Sequence, residues 1–259
     1  MLRFPILLTN DDGINSPGLQ HLASSLHSLG HPIAILAPLT EQSAVGMKLT
    51  LRDDMAFEEH TDIAEKIRTD ESAPLRVFSL DGSPCDCVIV AIDGGLRSLA
   101  PEIRPWLCIS GINRGPNLSI DVLHSGTVSA AREASLYGLP SLSVSLATYS
   151  HQDYSQSIEA TLALVERLSH LVTAEPSNIL RPEGSRMRPI RGTGTNSLRS
   201  WFMQGNMFLN LNIPENWNGT FQTVPLGARW YHNATDMIDQ KSTGVAFEVG
   251  AARIVDEEI

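Results

Sequence analysis

A short apolar segment that ends in two adjacent aspartates constrains the fold of this chain more than any other feature. Phe4 to Leu8 form an almost uninterrupted apolar run, which is typical of a parallel strand buried on both faces. The run leads into Asp11 and Asp12, and Gly13 supplies the permissive backbone that a sharp exit turn needs. Because α/β proteins place their ligands at the ends of such strands, the sequence predicts an α/β fold with a polar site directly after the first strand.

A helix and a second strand follow this turn. The helix begins near Pro17, shows apolar residues at helical spacing and ends at Gly30, and Ile33 to Ala37 then form another apolar run. Such a strand–helix–strand unit predicts a right-handed crossover between parallel strands. The alternation continues to residue 172, which predicts a Rossmann-like, doubly wound, mostly parallel sheet. The further predicted strands are Arg76–Leu80, Trp106–Ser110, Ser141–Leu146 and Phe208–Ile213, and the further predicted helices span 85–96, 127–137 and 155–172.

Three regions break this alternation. Residues 53–74 are charged and weakly patterned, so we predict an irregular surface excursion or a short hairpin there. Residues 176–200 are rich in Pro, Gly, Ser and Arg, which predicts a loop insertion within an α/β core that spans residues 1–225. Residues 226–259 lack helical periodicity and predict an extended C-terminal arm, which can pair with another subunit.

The composition argues against several classes of protein. The 259 residues, 42% of them hydrophobic, are enough to bury a full core. A formal net charge of −10 argues against binding of nucleic-acid duplexes, because that binding needs a basic face. No apolar stretch reaches the length of a membrane span or a signal peptide, so we expect a cytoplasmic protein without membrane contact. The three cysteines, Cys85, Cys87 and Cys108, show no zinc-type spacing and are expected to be buried, reduced thiols.

The adjacent carboxylates of Asp11 and Asp12 predict a metal site. Two anions at the end of a buried strand repel each other unless a positive charge lies between them. A hard divalent cation such as Mg²⁺ or Mn²⁺ prefers carboxylate, amide and water oxygens and meets this need. The alternative is a solvated Asp-Asp-Gly turn whose side chains only cap backbone amides.

Other polar residues follow later strands and supply oxygen ligands and hydrogen-bond donors. The Ser125-Gly126-Thr127 turn lies just before a predicted helix, whose N-terminal amides can bind a tetrahedral anion with help from the helix dipole. The alternative for this turn is an ordinary helix N-cap. The full set of candidate residues is Asp11, Asp12, Ser43, Asn113, Asn117, Ser125, Gly126 and Thr127.

The order of these motifs resembles the SurE survival-protein family of metal-dependent nucleotidases. The matching segments begin with residues 7–14, 17–19, 37–38 and 41–43, continue with 82–88, 110–117 and 125–134, and end with 209–214. The resemblance implies a phosphomonoesterase that removes phosphate from nucleoside 5′- or 3′-monophosphates and that forms a homodimer or homotetramer. It also implies metal ligands at Asp11, Asp12, Ser43 and Asn113, and phosphate contacts at Asn117, Ser125, Gly126 and Thr127.

Two mechanisms are compatible with this resemblance. In the first, a metal-associated water attacks phosphorus, and Asp11 or Asp12 positions or deprotonates that water. In the second, one aspartate attacks phosphorus and forms an aspartyl-phosphate, although phosphatases of that class usually have an Asp-x-Asp spacing. A non-catalytic nucleotide- or metal-binding module is a further alternative.

Three features depart from the family pattern or lack an assigned role. His124, beside the predicted phosphate turn, can donate a proton to the leaving oxygen, but a packing or indirect role is favoured. The arginines of residues 181–199 predict a substrate-attracting or oligomer-contact loop. The C-terminal segment shows no recognisable closing strand, which leaves the role of the arm open.

Overall fold

A mostly parallel sheet forms the centre of the molecule in the computed structural model, which describes residues 2–176, 179–181, 195–232, 234–241, 244–249 and 253–257. Among these residues, seven strands form one sheet in the order β3-β4-β2-β1-β5-β6-β7. All neighbouring strands are parallel except β3 and β4. The strands are β1 (Ile6–Thr9), β2 (Ile33–Pro38), β3 (Phe57–Glu59), β4 (Leu75–Leu80), β5 (Leu107–Arg114), β6 (Ser141–Leu146) and β7 (Leu209–Ile213).

Helices cover both faces of this sheet, because successive strand residues point to opposite sides. Ile6 and Leu8 pack with Leu22 on one face, whereas Leu7 packs with Val88 and Ala130 on the other. The predicted doubly wound α/β fold is therefore confirmed. The helices are α1 (Pro17–Ser28), α2 (Thr61–Ile67), α3 (Pro84–Val90), α4 (Leu96–Leu99), α5 (Asp121–His124), α6 (Gly126–Leu136), α7 (Ser155–Leu168) and α8 (Thr195–Met203), and a kinked turn at Ala91–Gly95 joins α3 to α4.

The strand order reverses at β1. The chain moves from β1 to β2 on one side, and returns to place β5 on the other side. In open α/β sheets this reversal opens a crevice at the carboxyl ends of the two central strands, where ligands bind. Asp11 and Asp12 follow β1, and Asn113 lies at the end of β5, so the fold brings these predicted site residues to the two sides of one crevice.

The prediction for residues 53–74 was incomplete. The segment contains strand β3, which pairs antiparallel with β4 at the sheet edge, and helix α2. Ile63 and Ile67 of α2 are buried against the core, but the charged residues on the exposed face of this short helix conceal the apolar pattern. The predicted buried thiols are confirmed, because Cys85, Cys87 and Cys108 are free and fully buried.

The C-terminal region contains two pairs of antiparallel strands. Strand β8 (Ala228–His232) pairs antiparallel with β11 (Arg253–Glu257), and β9 (Thr235–Lys241) pairs with β10 (Gly244–Val249). The sequence shows no recognisable closing motif because the pairing joins short segments that lie about 20 residues apart. The role of this region as an oligomerisation arm stays a prediction.

Part of the predicted 176–200 insertion lies outside the described residues, including Arg186, Arg188 and Arg191. Helix α8 begins at Thr195, so the insertion is not a loop throughout. Arg181 donates hydrogen bonds to backbone carbonyls of Ser135, Leu136 and Gly205, at the C-terminal end of α6. This arginine therefore fixes the backbone at the opposite end of α6 from Ser125, and the substrate-attracting role of the loop stays a prediction. None of the described helices has the length and apolarity needed to cross a membrane.

Candidate active site

A cavity of about 530 Å³ opens at the crevice between β1 and β5. Six of the eight predicted site residues line it, and the other two, Gly126 and Thr127, lie behind Asp11. The walls are formed by Asp11, Asp12, Glu41, Ser43, Ala44, Asn113, Arg114, Pro116, Asn117, Asp121, His124, Ser125, Tyr149 and Tyr231. Its volume lies in the range of small-molecule binding sites.

Asp11 is held rigidly at the bottom of this cavity. It is 4% exposed, and one carboxylate oxygen, Oδ2, accepts a hydrogen bond of 2.9 Å from the amide of Thr127. The other oxygen, Oδ1, accepts a hydrogen bond from the Thr127 hydroxyl. Burial raises the pKa of the Asp11 carboxyl, while the bonds from Thr127 oppose this increase. Because both bonds come from the first turn of α6, Asp11 caps this helix as an anion near its positive end.

Gly126 permits the close approach of Asp11 to α6. A Cβ atom at Gly126 would lie 2.8 Å from the Cβ and 3.0 Å from the Oδ2 of Asp11. Gly126 and Thr127 were predicted to contact phosphate, but in this structure they contact the Asp11 carboxylate instead. Their phosphate role stays a prediction.

Asp12 faces the cavity with more freedom. Its Oδ2 accepts a hydrogen bond of 3.3 Å from the backbone amide of Arg114. Burial, and secondly the neighbouring charge of Asp11, raise the pKa of Asp12 to about 6. The two carboxylates therefore form a like-charge pair, in which Asp11 is buried and Asp12 is half-buried.

This pair gives a testable pH dependence in metal-free protein. The pKa of Asp12 is raised from 3.8 to about 6 on folding, so the folded chain binds a proton more tightly than the unfolded chain. Ionisation of Asp12 therefore destabilises the folded protein. This effect is absent below pH 4, increases between pH 4 and pH 6, and is complete above pH 6. We expect Asp12→Asn to be more stable than the wild type by about 1–3 kcal/mol at pH 7 in EDTA and nearly equal to it at pH 4, as measured by urea unfolding. Equal stabilities at pH 7 would contradict this account.

A β-bulge orients Asn113. The register between β5 and β6 shifts after Ser110, so that Asn113 pairs with Ser145. Gly111 allows this backbone path, because a Cβ at Gly111 would lie 2.4 Å from the carbonyl oxygen of Val144. The amide nitrogen of Asn113 donates to the carbonyl of Gly115 at 2.9 Å, and its Oδ1 lies 3.3 Å from the Thr127 hydroxyl. The side-chain oxygen of Asn113 therefore lies beside the group that holds Asp11.

Ser43 reaches the cavity from the exposed loop after β2. Its hydroxyl donates a hydrogen bond of 2.7 Å to Glu41, and the loop is tied to the site by the amide of Gln42, which donates to the carbonyl of Asp11 at 2.7 Å. Sequence reasoning did not select Glu41 as a site residue, although it stands two positions before Ser43 in the same motif.

Asn117 is fixed between the ends of two strands. Its amide nitrogen donates to the hydroxyl of Ser145 at 2.8 Å, and its backbone is bound by the side chains of Asn210 and Asn212 on β7. Ser125 is the N-cap of α6, and its hydroxyl accepts a hydrogen bond of 3.0 Å from the amide of Val128. This hydroxyl has the N-cap role that was the alternative for the turn, and Ser125 still lines the cavity.

The structure adds residues to the site that the sequence did not indicate. Arg114, Asp121, Tyr149 and Tyr231 line the cavity, and His124 is exposed there rather than packed in the core. Burial, together with the hydrogen bond that its hydroxyl donates to Asp121, raises the pKa of Tyr231 to about 12, so the phenol stays protonated at neutral pH. Arg114 stands inside the matched 110–117 motif, whereas no local pattern marks Tyr231, which comes from the C-terminal region.

The chemistry of the donor set fits a hard divalent cation. Two carboxylates, a hydroxyl and an amide oxygen belong to residues that line one cavity, and a cation would offset the repulsion between the adjacent charges of Asp11 and Asp12. Among the described residues, no group of three or more His, Cys, Asp or Glu side chains could hold a metal ion. Ser43 and Asn113 stay predicted ligands beside the two aspartates.

Comparison with known proteins identifies the family. The profile of the survival protein SurE matches residues 6–235. A protein described as 5′-nucleotidase SurE from Syntrophotalea carbinolica is 42% identical over 192 residues, which cover 73% of this chain and 69% of that protein. Another protein with this description, from Synechococcus sp. (strain JA-3-3Ab), is 33% identical over 98% of this chain and 83% of its own length. The crystal structure of the SurE protein from Aquifex aeolicus superimposes with a TM-score of 0.61 at 26% identity, covering 98% of this chain and 82% of that structure. The chain belongs to the SurE survival-protein family.

Proposed function

We propose that this protein is a metal-dependent 5′-nucleotidase, which hydrolyses nucleoside monophosphates to nucleoside and phosphate. Two relatives that together match almost the whole chain carry the description 5′-nucleotidase. The observation that carries the proposal is the adjacent Asp11–Asp12 pair, which lies at the reversal of strand order and beside the N-terminus of α6. A site of this kind combines ligands for a cation with donors for a phosphate group.

Asp11, Asp12, Ser43 and Asn113 are the residues that would hold one Mg²⁺ or Mn²⁺ ion. When bound, such an ion polarises the phosphoryl group and lowers the pKa of a bound water. The chain contributes the rigidity of the site. Thr127 fixes both oxygens of Asp11, and the β-bulge in β5 directs Asn113 toward the same point.

Asp12 is better placed than Asp11 to position the attacking water. Both oxygens of Asp11 already accept hydrogen bonds from Thr127, whereas Asp12 accepts a single bond of 3.3 Å from Arg114 and faces the cavity. A carboxylate that has a free oxygen can accept a proton from water as the water attacks phosphorus. His124 lines the same cavity and is exposed, so it can donate a proton to the leaving oxygen of the nucleoside.

The remaining site residues are proposed to bind the phosphate group. Asn117 and Ser125 line the cavity beside Asn113 and Asp11, and the first turn of α6 adds the field of the helix dipole. Donors arranged around the phosphoryl oxygens stabilise the charge that develops as the ester bond breaks. The cytoplasm is the proposed location, and a homodimer or homotetramer is the proposed assembly.

Phosphate release from a panel of nucleoside 5′- and 3′-monophosphates tests this function. We expect release with Mg²⁺ or Mn²⁺ and no release above background in EDTA, because the proposed mechanism needs the cation. Restored release after metal is added back serves as the control that EDTA did not unfold the protein. Binding of nucleotide without release under any metal would instead favour a non-catalytic module.

Acid quenching during turnover tests the mechanism separately. Direct attack by water predicts that no phosphate stays bound to the protein. Trapping of a phosphorylated Asp11 or Asp12 would overturn direct attack and favour the aspartyl-phosphate route, while leaving the nucleotidase activity in place.

A further inference from the structure

Two exposed tyrosines line the cavity that contains Asp11 and Asp12. Tyr149 follows strand β6 and is 62% exposed, and Tyr231 lies on strand β8 and is 37% exposed. Strand β6 is two strands away from β1 in the sheet, a separation of about 10 Å at the usual strand spacing. The Tyr149 loop therefore emerges from the sheet well to one side of the carboxylate pair.

The Tyr149 loop is anchored on both sides of the tyrosine. The hydroxyls of Thr148 and Ser150, its two neighbours, both donate hydrogen bonds to the carboxylate of Glu215. The ring itself rests against the backbone of Gly115, where a Cβ atom would lie 2.1 Å from the ring carbon Cε1. Tyr149 therefore presents an exposed ring from a loop whose position is fixed.

Tyr231 is anchored by a different carboxylate. Its hydroxyl donates a hydrogen bond to Asp121, and the guanidinium of Arg229 lies 3.3 Å from the other oxygen of that residue. Arg229 and Tyr231 point to the same face of β8 because they are two residues apart. The backbone amide of Arg229 also donates to the hydroxyl of Ser119 at 2.8 Å. These contacts fasten β8 to the loop before α5 and hold Tyr231 on the cavity wall.

We propose that Tyr149 and Tyr231 form the binding site for the nucleobase of the substrate. This inference rests on the proposed nucleotidase function and adds a part of the site that recognises the base rather than the phosphate. Exposed aromatic rings held in place by anchored backbone offer stacking surfaces, and every nucleobase has a flat face that can stack on them. With the phosphate group at Asn117, Ser125 and the start of α6, the base extends toward the tyrosines. The site therefore accepts purine and pyrimidine nucleotides, and it favours substrates with a base over substrates without one.

Adenosine 5′-monophosphate and ribose 5-phosphate distinguish this role, because they share the phosphate and ribose and differ in the base. We expect Tyr149→Ala and Tyr231→Ala each to raise KM for adenosine monophosphate by about 5–100-fold, the loss expected for one stacked base. In the same two variants, KM and kcat for ribose 5-phosphate are expected to change by less than about twofold. Tyr149→Phe is the matched control, since it keeps the ring, and we expect it to bind adenosine monophosphate like the wild type.

An equal increase in KM for adenosine monophosphate and ribose 5-phosphate would overturn the proposal, because it would show a structural role for the tyrosines. An unchanged KM for adenosine monophosphate in both alanine variants would overturn it as well. Calorimetric binding of the same two ligands, in Mg²⁺ buffer, separates this proposal from the proposed function. The wild type could release no phosphate and still bind adenosine monophosphate more tightly than ribose 5-phosphate. If the alanine variants lose that preference, the base site is supported and the catalytic proposal fails.

Discussion

Asp12→Ala is expected to reduce metal-dependent phosphate release by about a thousandfold or more. The variant removes a proposed metal ligand and the proposed acceptor of the proton from water, and loss of one well-placed stabilising group alone costs about 10²–10³ in rate. The fold is expected to survive, because Asp12 makes one hydrogen bond of 3.3 Å and its charge is unfavourable in the metal-free protein. Steady-state kinetics at saturating Mn²⁺ measure the loss, and thermal unfolding in EDTA checks that the variant folds.

Asp153→Ala provides the matched control for this variant. Asp153 accepts hydrogen bonds from Ser155 at the start of α7 and lies outside the cavity walls. Loss of these local hydrogen bonds on the protein surface is expected to leave kcat and KM unchanged. An Asp12→Ala variant that retained more than about a tenth of wild-type activity would contradict the role assigned to this residue.

Gly126→Ala is expected to lower kcat/KM by about a hundredfold. The new methyl group would lie 2.8 Å from the Cβ of Asp11 and 3.1 Å from Pro84, so Asp11 must shift from its place on α6. A displacement of about 1 Å in a catalytic site can reduce the rate by that factor. Steady-state kinetics with adenosine monophosphate measure the effect.

Ala131→Gly controls for a general weakening of α6. Ala131 is fully buried in the same helix and lies outside the cavity wall, and glycine in a helix costs about 1 kcal/mol relative to alanine. We expect Ala131→Gly to lose stability but to keep a nearly normal kcat/KM. Equal activity in the two variants would show that the contact between Gly126 and Asp11 does not matter for catalysis.

The central sheet could be predicted because its strands carry strong local signals. The apolar runs at Ile6, Ile33 and Leu142 are buried on both faces, and the intervening helices show apolar residues at helical spacing. The strand order then places the turn after β1 beside the end of β5, so the grouping of Asp11, Asp12 and Asn113 follows from the fold. Edge strand β3 and helix α2 were missed because they are short and carry charged residues among few apolar ones.

The internal contacts of the site could not be predicted in the same way. The sequence motif marks Gly126 and Thr127 but does not show that their groups bind the Asp11 carboxylate rather than an incoming ligand. That distinction depends on how closely α6 approaches β1, which is a matter of packing between elements more than 100 residues apart. The same reason applies to Tyr231, which reaches the cavity only because β8 is bound to Ser119 and Asp121.

Titration of the metal-stripped protein with Mn²⁺, with bound ion and phosphate release measured in the same samples, tests the central claim most directly. The account predicts one tightly bound ion per chain, release of phosphate from adenosine monophosphate in proportion to bound ion, and loss of both in Asp12→Ala. Phosphate release that continues in the stripped protein, or an Asp12→Ala variant that binds the ion and turns over like the wild type, would contradict it.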